Sequence, residues 1–157
     1  MEGILSFVET NVVTGTGTGT EAFSRTFLDD ALQSIFSNFG DPDILFVGAF
    51  QARQAAAFTN AAGDYRRVTN DPKQLVNEIT YYDGPVGSVS FRVHRLMPTD
   101  QALIVDTKLL EIAELQPMYH EMLPKDGDRV RGHIVWEGTI KVYQEKGFAK
   151  ITGLTTS

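Results

Sequence analysis

The chain has 157 residues, of which 42% are hydrophobic and 22% charged, a balance that suits one globular domain and excludes a disordered tail or a fibrous repeat. Fourteen Lys and Arg against twenty Asp and Glu leave a net charge of −6, which disfavours a surface built to grip phosphate backbones unless the basic residues cluster. The absence of cysteines, of an apolar run near the ~18 residues that span a bilayer, and of a basic n-region at the start argues against a disulfide framework, a membrane helix and a secretory signal, so a reducing cytoplasmic setting is expected.

Residues 14–20 read Thr-Gly-Thr-Gly-Thr-Gly-Thr, and the backbone entropy of three alternating glycines predicts a mobile loop. Phe23, Phe27, Leu28, Ala31, Leu32, Ile35, Phe36 and Phe39 then recur at helical spacing and predict one buried helix face, with Asp29, Asp30, Gln33 and Ser34 on the other. Gly40 fits the left-handed residue past the helix end, and Pro42 prevents continuation. Ile44–Val47 is continuously apolar, as a strand buried on both faces would be. A second helix is expected after it, with Phe50, Ala57 and Phe58 as its buried stripe and the loop 59–64 as its end. Helix, strand and helix in succession argue for an α+β sheet with helices packed on it.

From about Glu78 the pattern becomes one of strands: residues 79–82, the turn Asp83-Gly84-Pro85, then Val89, Phe91 and Val93 alternating with polar residues. Residues 102–106 give another apolar run, while 108–115 fit either a short helix or an extended segment. Pro117, Pro124 and the turn Lys125-Asp126-Gly127-Asp128 are expected to break up the stretch between there and residue 128. Residues 129–143, which hold the only tryptophan, Trp136, and residues 148–154 read as two strands joined in a hairpin through Gln144-Glu145-Lys146-Gly147. The organisation is an N-terminal extended segment with the Gly/Thr loop over residues 1–22 and one domain over residues 23–157.

Chemistry-bearing patterns are sparse. Gly15, Gly17 and Gly19 lack the Gly-Lys-Ser/Thr of a phosphate loop and a preceding strong strand. His94, His120 and His133 share no metal-ligand spacing, and Tyr119-His120-Glu121 is the nearest local cluster. No Gly-x-Ser-x-Gly elbow is present. Arg66-Arg67 and the group Arg92, His94, Arg95 are small basic clusters best read as solvated faces. The carboxylate pairs Asp29-Asp30, Asp41 with Asp43, and Asp126 with Asp128 fall on a polar helix face and in turns. The most enzyme-like pattern is Pro42-Asp43 before one strand and Asp106-Thr107-Lys108 after another, similar to a magnesium-dependent nuclease in which two carboxylates hold the metal and the lysine activates water. Its 62 intervening residues are a wide gap for that motif, and the acidic chain is a poor DNA surface.

Read from end to end, the chain resembles the C-terminal portion of a tailed-bacteriophage major capsid protein of the Hong Kong 97 type. The segments that carry the resemblance are Glu2-Gly3-Ile4 leading into Thr10-Asn11, Phe27-Leu28-Asp29-Asp30-Ala31-Leu32, and Asp41-Pro42-Asp43-Ile44-Leu45-Phe46-Val47. Leu96-Met97-Pro98 with Leu103-Ile104-Val105-Asp106, Gly138-Thr139-Ile140-Lys141-Val142, and the ending Glu145-Lys146-Gly147-Phe148-Ala149-Lys150-Ile151-Thr152-Gly153-Leu154 extend it. The resemblance implies an axial-domain sheet flanked by helices over about 27–106 and a return to peripheral-domain strands over about 107–157. It also implies that the N-terminal arm, extended loop and spine helix of a complete subunit are not represented in this chain.

The function so implied is that of a virion structural protein of a phage or prophage shell, non-catalytic and without cofactor or metal, that encloses double-stranded DNA. The partners implied are other copies of itself in pentamers and hexamers, scaffold, portal or decoration proteins, and packaged DNA only through weak non-specific contact, with no membrane. The location implied is the virion capsid, with synthesis in the bacterial cytoplasm. Net acidity agrees with this, because a basic shell would adhere to its cargo. The alternative is the nuclease, with Asp43, Asp106 and Lys108 as its site.

Overall fold

The computed structural model describes residues 3–15, 21–62 and 81–156. In chain order the elements are α1 (Ile4–Phe7), β1 (Val12–Thr14), α2 (Arg25–Ser37), β2 (Ile44–Val47), α3 (Ala49–Ala62), β3 (Tyr81–Asp83), β4 (Ser88–Val93) and β5 (Ala102–Val105). A 3-10 turn at Thr107–Leu109 leads into β6 (Leu110–Asp126) and β7 (Arg129–Val142), and a second at Glu145–Gly147 leads into β8 (Ala149–Thr152).

Two sheets result. The first has six strands in the order β1-β8-β5-β2-β4-β3, and the second is the two-stranded ribbon β6-β7. Within the first, β1 runs parallel to β8 and β2 parallel to β4, while β5 is antiparallel to both β2 and β8. The mixed sheet with helices is the α+β architecture that the element pattern predicts.

The strand patterns follow from what covers each sheet face. Ala102 and Ile104 of β5 join Leu45, Val47, Val89, Phe91, Ala149 and Ile151 under the α2 residues Leu28, Ala31, Leu32 and Ile35. The alternate residues Leu103 and Val105 point to the other face, where Val8 and Phe148 pack with the partly buried Ile4, Leu5, Phe46, Leu109, Leu110 and Val142. A strand in the middle of a sheet covered on both sides cannot alternate with polar residues, so β5 is buried at all four positions. Burial of each large aliphatic side chain here stabilises the fold by roughly 1.5–3 kcal/mol.

Several local expectations are corrected. In α2 the buried stripe ends at Ile35; Phe36 is exposed, and Phe39 is 97% exposed. The left-handed residue past the helix is Phe39, at φ 64°, and not Gly40. Gly40 is required by space: a Cβ there would lie 2.5 Å from Ile35 Cγ2 and 3.0 Å from Gly147 Cα. Among the described side chains of α3, Gln51, Ala55 and Ala56 are buried, whereas Phe50 is half-buried and Ala57 exposed. Residues 59–62, expected as loop, continue this helix, because alanines and the absence of Gly or Pro give it no reason to stop. In β4 Val93 leaves the core and is exposed.

Thr14, expected in the Gly/Thr loop, is the last residue of β1, and Gly15 N–H donates to Thr152 O. The rest of that loop, Arg66-Arg67, Phe58's side chain, and residues 63–64 and 79–80 lie outside the described residues. Pro117 and Pro124 do not break the chain; both sit inside β6 where its register with β7 shifts, places at which a residue without an N–H costs no ladder bond. The expected hairpin between residues 129–143 and 148–154 does not form. Its first strand pairs with β6 and its second with β1 and β5, so the true hairpin turns at residues 126–128 about Gly127, at φ 71°.

Candidate assembly surface

The fold does bring the nuclease candidates Asp43, Asp106 and Lys108 together, at the point where the loop before β2 meets the 3-10 turn after β5. Their polar atoms are used as braces. Asp106 is buried; its Oδ1 accepts from Lys108 N–H at 3.0 Å and its Oδ2 from Asp41 N–H at 3.2 Å. Asp43 Oδ2 accepts from Thr107 N–H at 3.2 Å and from the Thr107 hydroxyl. Lys108 Nζ is held by Asp41 Oδ2 at 2.6 Å, which with the nearby Asp43 and Asp106 keeps the ammonium above its usual pKa. A water-activating lysine needs the opposite shift. The constellation ties two loops to the sheet rather than presenting carboxylates to a metal.

The remaining candidates do not converge. His94 meets Phe46 edge-on with ring centroids 6.2 Å apart, and His133 Nε2 lies 3.6 Å from Glu121 Oε2 on the ribbon. Asp29 accepts from the Tyr82 hydroxyl at 2.5 Å, and Arg25 Nε donates to the phenol oxygen at 3.0 Å. Burial first, then the hydrogen bond to Asp29, pushes the Tyr82 phenol up to about 12 despite the opposing arginine, so it stays protonated and pins β3 to α2. Among the described residues no group of three or more His, Asp or Glu could hold a metal ion.

A polar anchor that spacing did not reveal sits beside the exit of β7. Asn11 is 3% exposed; its Nδ2 donates to Lys146 O at 2.7 Å and Phe148 O at 2.9 Å, and its Oδ1 accepts from Ser34 Oγ at 2.8 Å and Asn38 Nδ2 at 3.2 Å. Next to it, Glu145 accepts from Glu9 N–H, Thr10 N–H and the Thr10 hydroxyl at 2.6–2.8 Å. Burial alone would raise the Glu145 pKa, but these donors outweigh it and hold it below the usual value. The pair clamps the N-terminal segment to α2 and to the turn that follows β7. Tyr143 N–H donating to Leu109 O at 3.0 Å closes the base of the ribbon.

From that base the β6-β7 ribbon projects with an apolar face left largely exposed among the described residues. Every register irregularity adds a residue to β6, so β7 alternates without interruption. Its even positions are Val130, Gly132, Ile134, Trp136, Gly138, Ile140 and Val142; the odd ones include Arg129, Arg131, His133, Glu137 and Lys141. Cross-strand pairing places Leu110, Ile112, Glu114, His120 and Met122 on the even face. Its base, Leu110 and Val142, is packed on the core, but Ile112, Met122, Val130 and Ile134 are 64–68% exposed. The two glycines make room for rings on this face: a methyl at Gly132 would meet His120 Nε2 at 2.5 Å, and one at Gly138 would run into the Trp136 indole, whose Nε1 donates to Glu114 Oε1 at 3.0 Å. The opposite face is mixed, with Tyr119, Leu123 and Val135 among charged groups. The period-two pattern of residues 129–142 was visible in the sequence; its partner strand was hidden by the prolines.

Comparison with known proteins places this geometry. A family model for the SU10 major capsid protein matches residues 1–155. Among solved structures, the chain is similar to the holo-SrpI encapsulin complex from Synechococcus elongatus PCC 7942, with a TM-score of 0.67 at 9% identity over 99% of this chain and 57% of that one. It is also similar to a virus-like particle from Pyrococcus furiosus, with a TM-score of 0.50 at 12% identity over 94% of this chain and 58% of that one. The chain therefore spans less than two thirds of the length of the structures it resembles, and at such identities the likeness concerns fold alone. No curated protein sequence matches. With a Hong Kong 97-like fold and a family match along nearly its whole length, the chain belongs to the SU10 major capsid protein family, whose role is structural.

Proposed function

We propose that this chain is a shell-forming subunit of a phage or prophage capsid that associates with copies of itself through the exposed apolar face of the β6-β7 ribbon, and that it performs no catalysis. The carrying observation is that face. A two-stranded ribbon is marginal alone, and large side chains aligned along one side of it and left in water mark a surface meant to be covered. The six-stranded sheet with α2 and α3 fits an axial unit and the ribbon a peripheral one; β8, which returns to the sheet beside β5, belongs with the former. Double-stranded DNA would lie inside, touched only weakly by a chain of net charge −6. Portal, scaffold or decoration proteins are further partners of such a shell, and synthesis in the bacterial cytoplasm fits the cysteine-free chain.

Light scattering with electron microscopy of the purified chain tests the reading. Concentration-dependent rings, sheets or closed particles are expected, reduced by Ile134→Ser with Met122→Ser. A monomer at all concentrations, or assembly indifferent to these substitutions, would overturn it.

A further inference from the structure

We infer that residues 3–10 form a strap that opens as a unit while the rest of the fold stays intact, with Asn11 as its hinge, Glu145 as its catch and Val8 as the plug it withdraws from the core. This is a conformational device of the single chain and does not rest on the self-association reading.

Three observations lead there. First, the strap has no share in the backbone ladder. Among the described residues, no backbone-to-backbone hydrogen bond joins residues 3–10 to the body; the first such bond is Lys150 N–H to Asn11 O at 2.9 Å. Side chains of the body hold the strap instead. Glu145 accepts Glu9 N–H, Thr10 N–H and the Thr10 hydroxyl, and Lys150 Nζ donates to Leu5 O at 3.2 Å. A segment held in this way opens at a fraction of the cost of global unfolding. Second, hinge and catch stay in place when the strap leaves. The turn that carries Glu145 is closed by its own backbone, with Gly147 N–H donating to Gln144 O and Phe148 N–H to Glu145 O. Asn11 is fixed by the hydrogen bonds of its side chain to Lys146, Phe148, Ser34 and Asn38, so opening stops there. Third, the strap's apolar hold is concentrated at one point. Val8 is fully buried, in the cluster of Leu103, Val105 and Phe148, whereas Ile4 and Leu5 are only partly buried and Phe7 is exposed. The three hydrogen bonds to Glu145, stronger than neutral ones because the acceptor is charged, fall on the two residues next to that plug. The catch therefore sets how often Val8 leaves, and each departure uncovers apolar side chains of that cluster.

The chain has no cysteine, so a thiol placed on the plug reports its departure directly. Val8→Cys is compared with Val47→Cys, the same replacement at another fully buried position, in the core under α2. Each protein is treated with a small thiol reagent at one fixed pH, after far-ultraviolet circular dichroism has established that it is folded. The Val8→Cys thiol should react at least about tenfold faster than the Val47→Cys thiol, at a rate that low urea hardly changes. Adding Glu145→Gln should speed the first at least about tenfold more than the second. Equal rates with equal urea dependence would mean that the segment leaves only on global unfolding, and the strap would be overturned. A Glu145→Gln effect shared equally by both thiols, or absent from both, would overturn the catch. Hydrogen exchange on the unsubstituted chain covers the case in which a cysteine variant does not fold. There, Glu9 and Thr10 N–H should exchange at least about tenfold faster than Ile104 N–H, and equal rates would bring down the inference.

Discussion

Replacing Asn11 by alanine removes a side chain that completes four hydrogen bonds at a site 3% exposed. Ser34 and Asn38 are half-buried and can turn to water, so their share of the cost is small. The carbonyls of Lys146 and Phe148 are fixed by the backbone, and the second is buried. A buried acceptor left without a partner costs about 1–3 kcal/mol, and a satisfied neutral bond contributes about 0.5–1.5 kcal/mol. The expected loss is therefore about 2–4 kcal/mol, read as a lower urea midpoint at unchanged m-value and a Tm lower by roughly 5–12 °C. Asn11→Asp sharpens the test. It keeps the acceptor for Ser34 but sets a carboxylate oxygen against two carbonyl oxygens, so its carboxyl pKa is raised by folding. Its destabilisation should be smallest in acid and grow as pH rises through the carboxylate range, whereas that of Asn11→Ala should not. A loss below about 0.5 kcal/mol for Asn11→Ala, or parallel pH profiles for the two variants, would refute the reasoning.

Glu145 has a folded pKa below the usual 4.5, so its contribution is present above that value and is lost as pH falls through the depressed one; Glu145→Gln should flatten the acid limb of a stability-against-pH curve and leave the rest of its shape intact. Gly40→Ala should cost about 1–3 kcal/mol by chemical denaturation, since the new methyl meets Ile35 and the Gly147 backbone. Phe39→Gly should stabilise the monomer by about 0.5–1 kcal/mol, because it relieves a left-handed phenylalanine whose ring is 97% exposed. Trp136, the only tryptophan, should shift its emission to the blue with rising protein concentration if the even face becomes covered, and a concentration-independent spectrum would speak against that face.

What the sequence disclosed and what it concealed divide by the range of the interaction. Ile44–Val47 and Ala102–Val105 announced themselves as strands covered on both faces because every position must then be apolar. The helix after the Gly/Thr run was equally legible, yet spacing cannot say where a helix leaves the core, and Phe36 and Phe39 lie beyond that point. The partner of β8 was not legible. Gln144-Glu145-Lys146-Gly147 has turn composition and invites a local hairpin, whereas the strand beside β8 is Val12–Thr14, near the other end of the chain. Pro117 and Pro124 misled for a related reason: a proline tells against a regular ladder, not against a bulged one. The Asp43, Asp106 and Lys108 pattern was right about proximity, but only geometry shows what the residues do there: both carboxylates accept backbone N–H groups, and the lysine is held by Asp41.

The anchor and the ribbon are physically linked, and this separates stability from assembly. The turn that Asn11 and Glu145 hold is the one through which β7 returns to the sheet, and Leu110 and Val142 at the ribbon's base sit in the cluster with Phe148. The joint from which the ribbon projects is held by the Asn11 bonds, the Glu145 bonds and the Tyr143 to Leu109 closure, alongside the packing of Leu109, Leu110 and Val142. Loosening them frees a lever about 45 Å long, so a small angular change at the base moves the tip by many ångströms. A cavity made elsewhere in the core, as by Ile104→Ala, costs about 2–5 kcal/mol without touching this joint. Conditions can be chosen in which the Asn11→Ala and Ile104→Ala proteins are equally and almost fully folded. There, Asn11→Ala should assemble at least several-fold less well by light scattering, with its monomer circular dichroism unchanged. Equal assembly by the two would show that the ribbon takes its direction from the partner copy and not from the anchor.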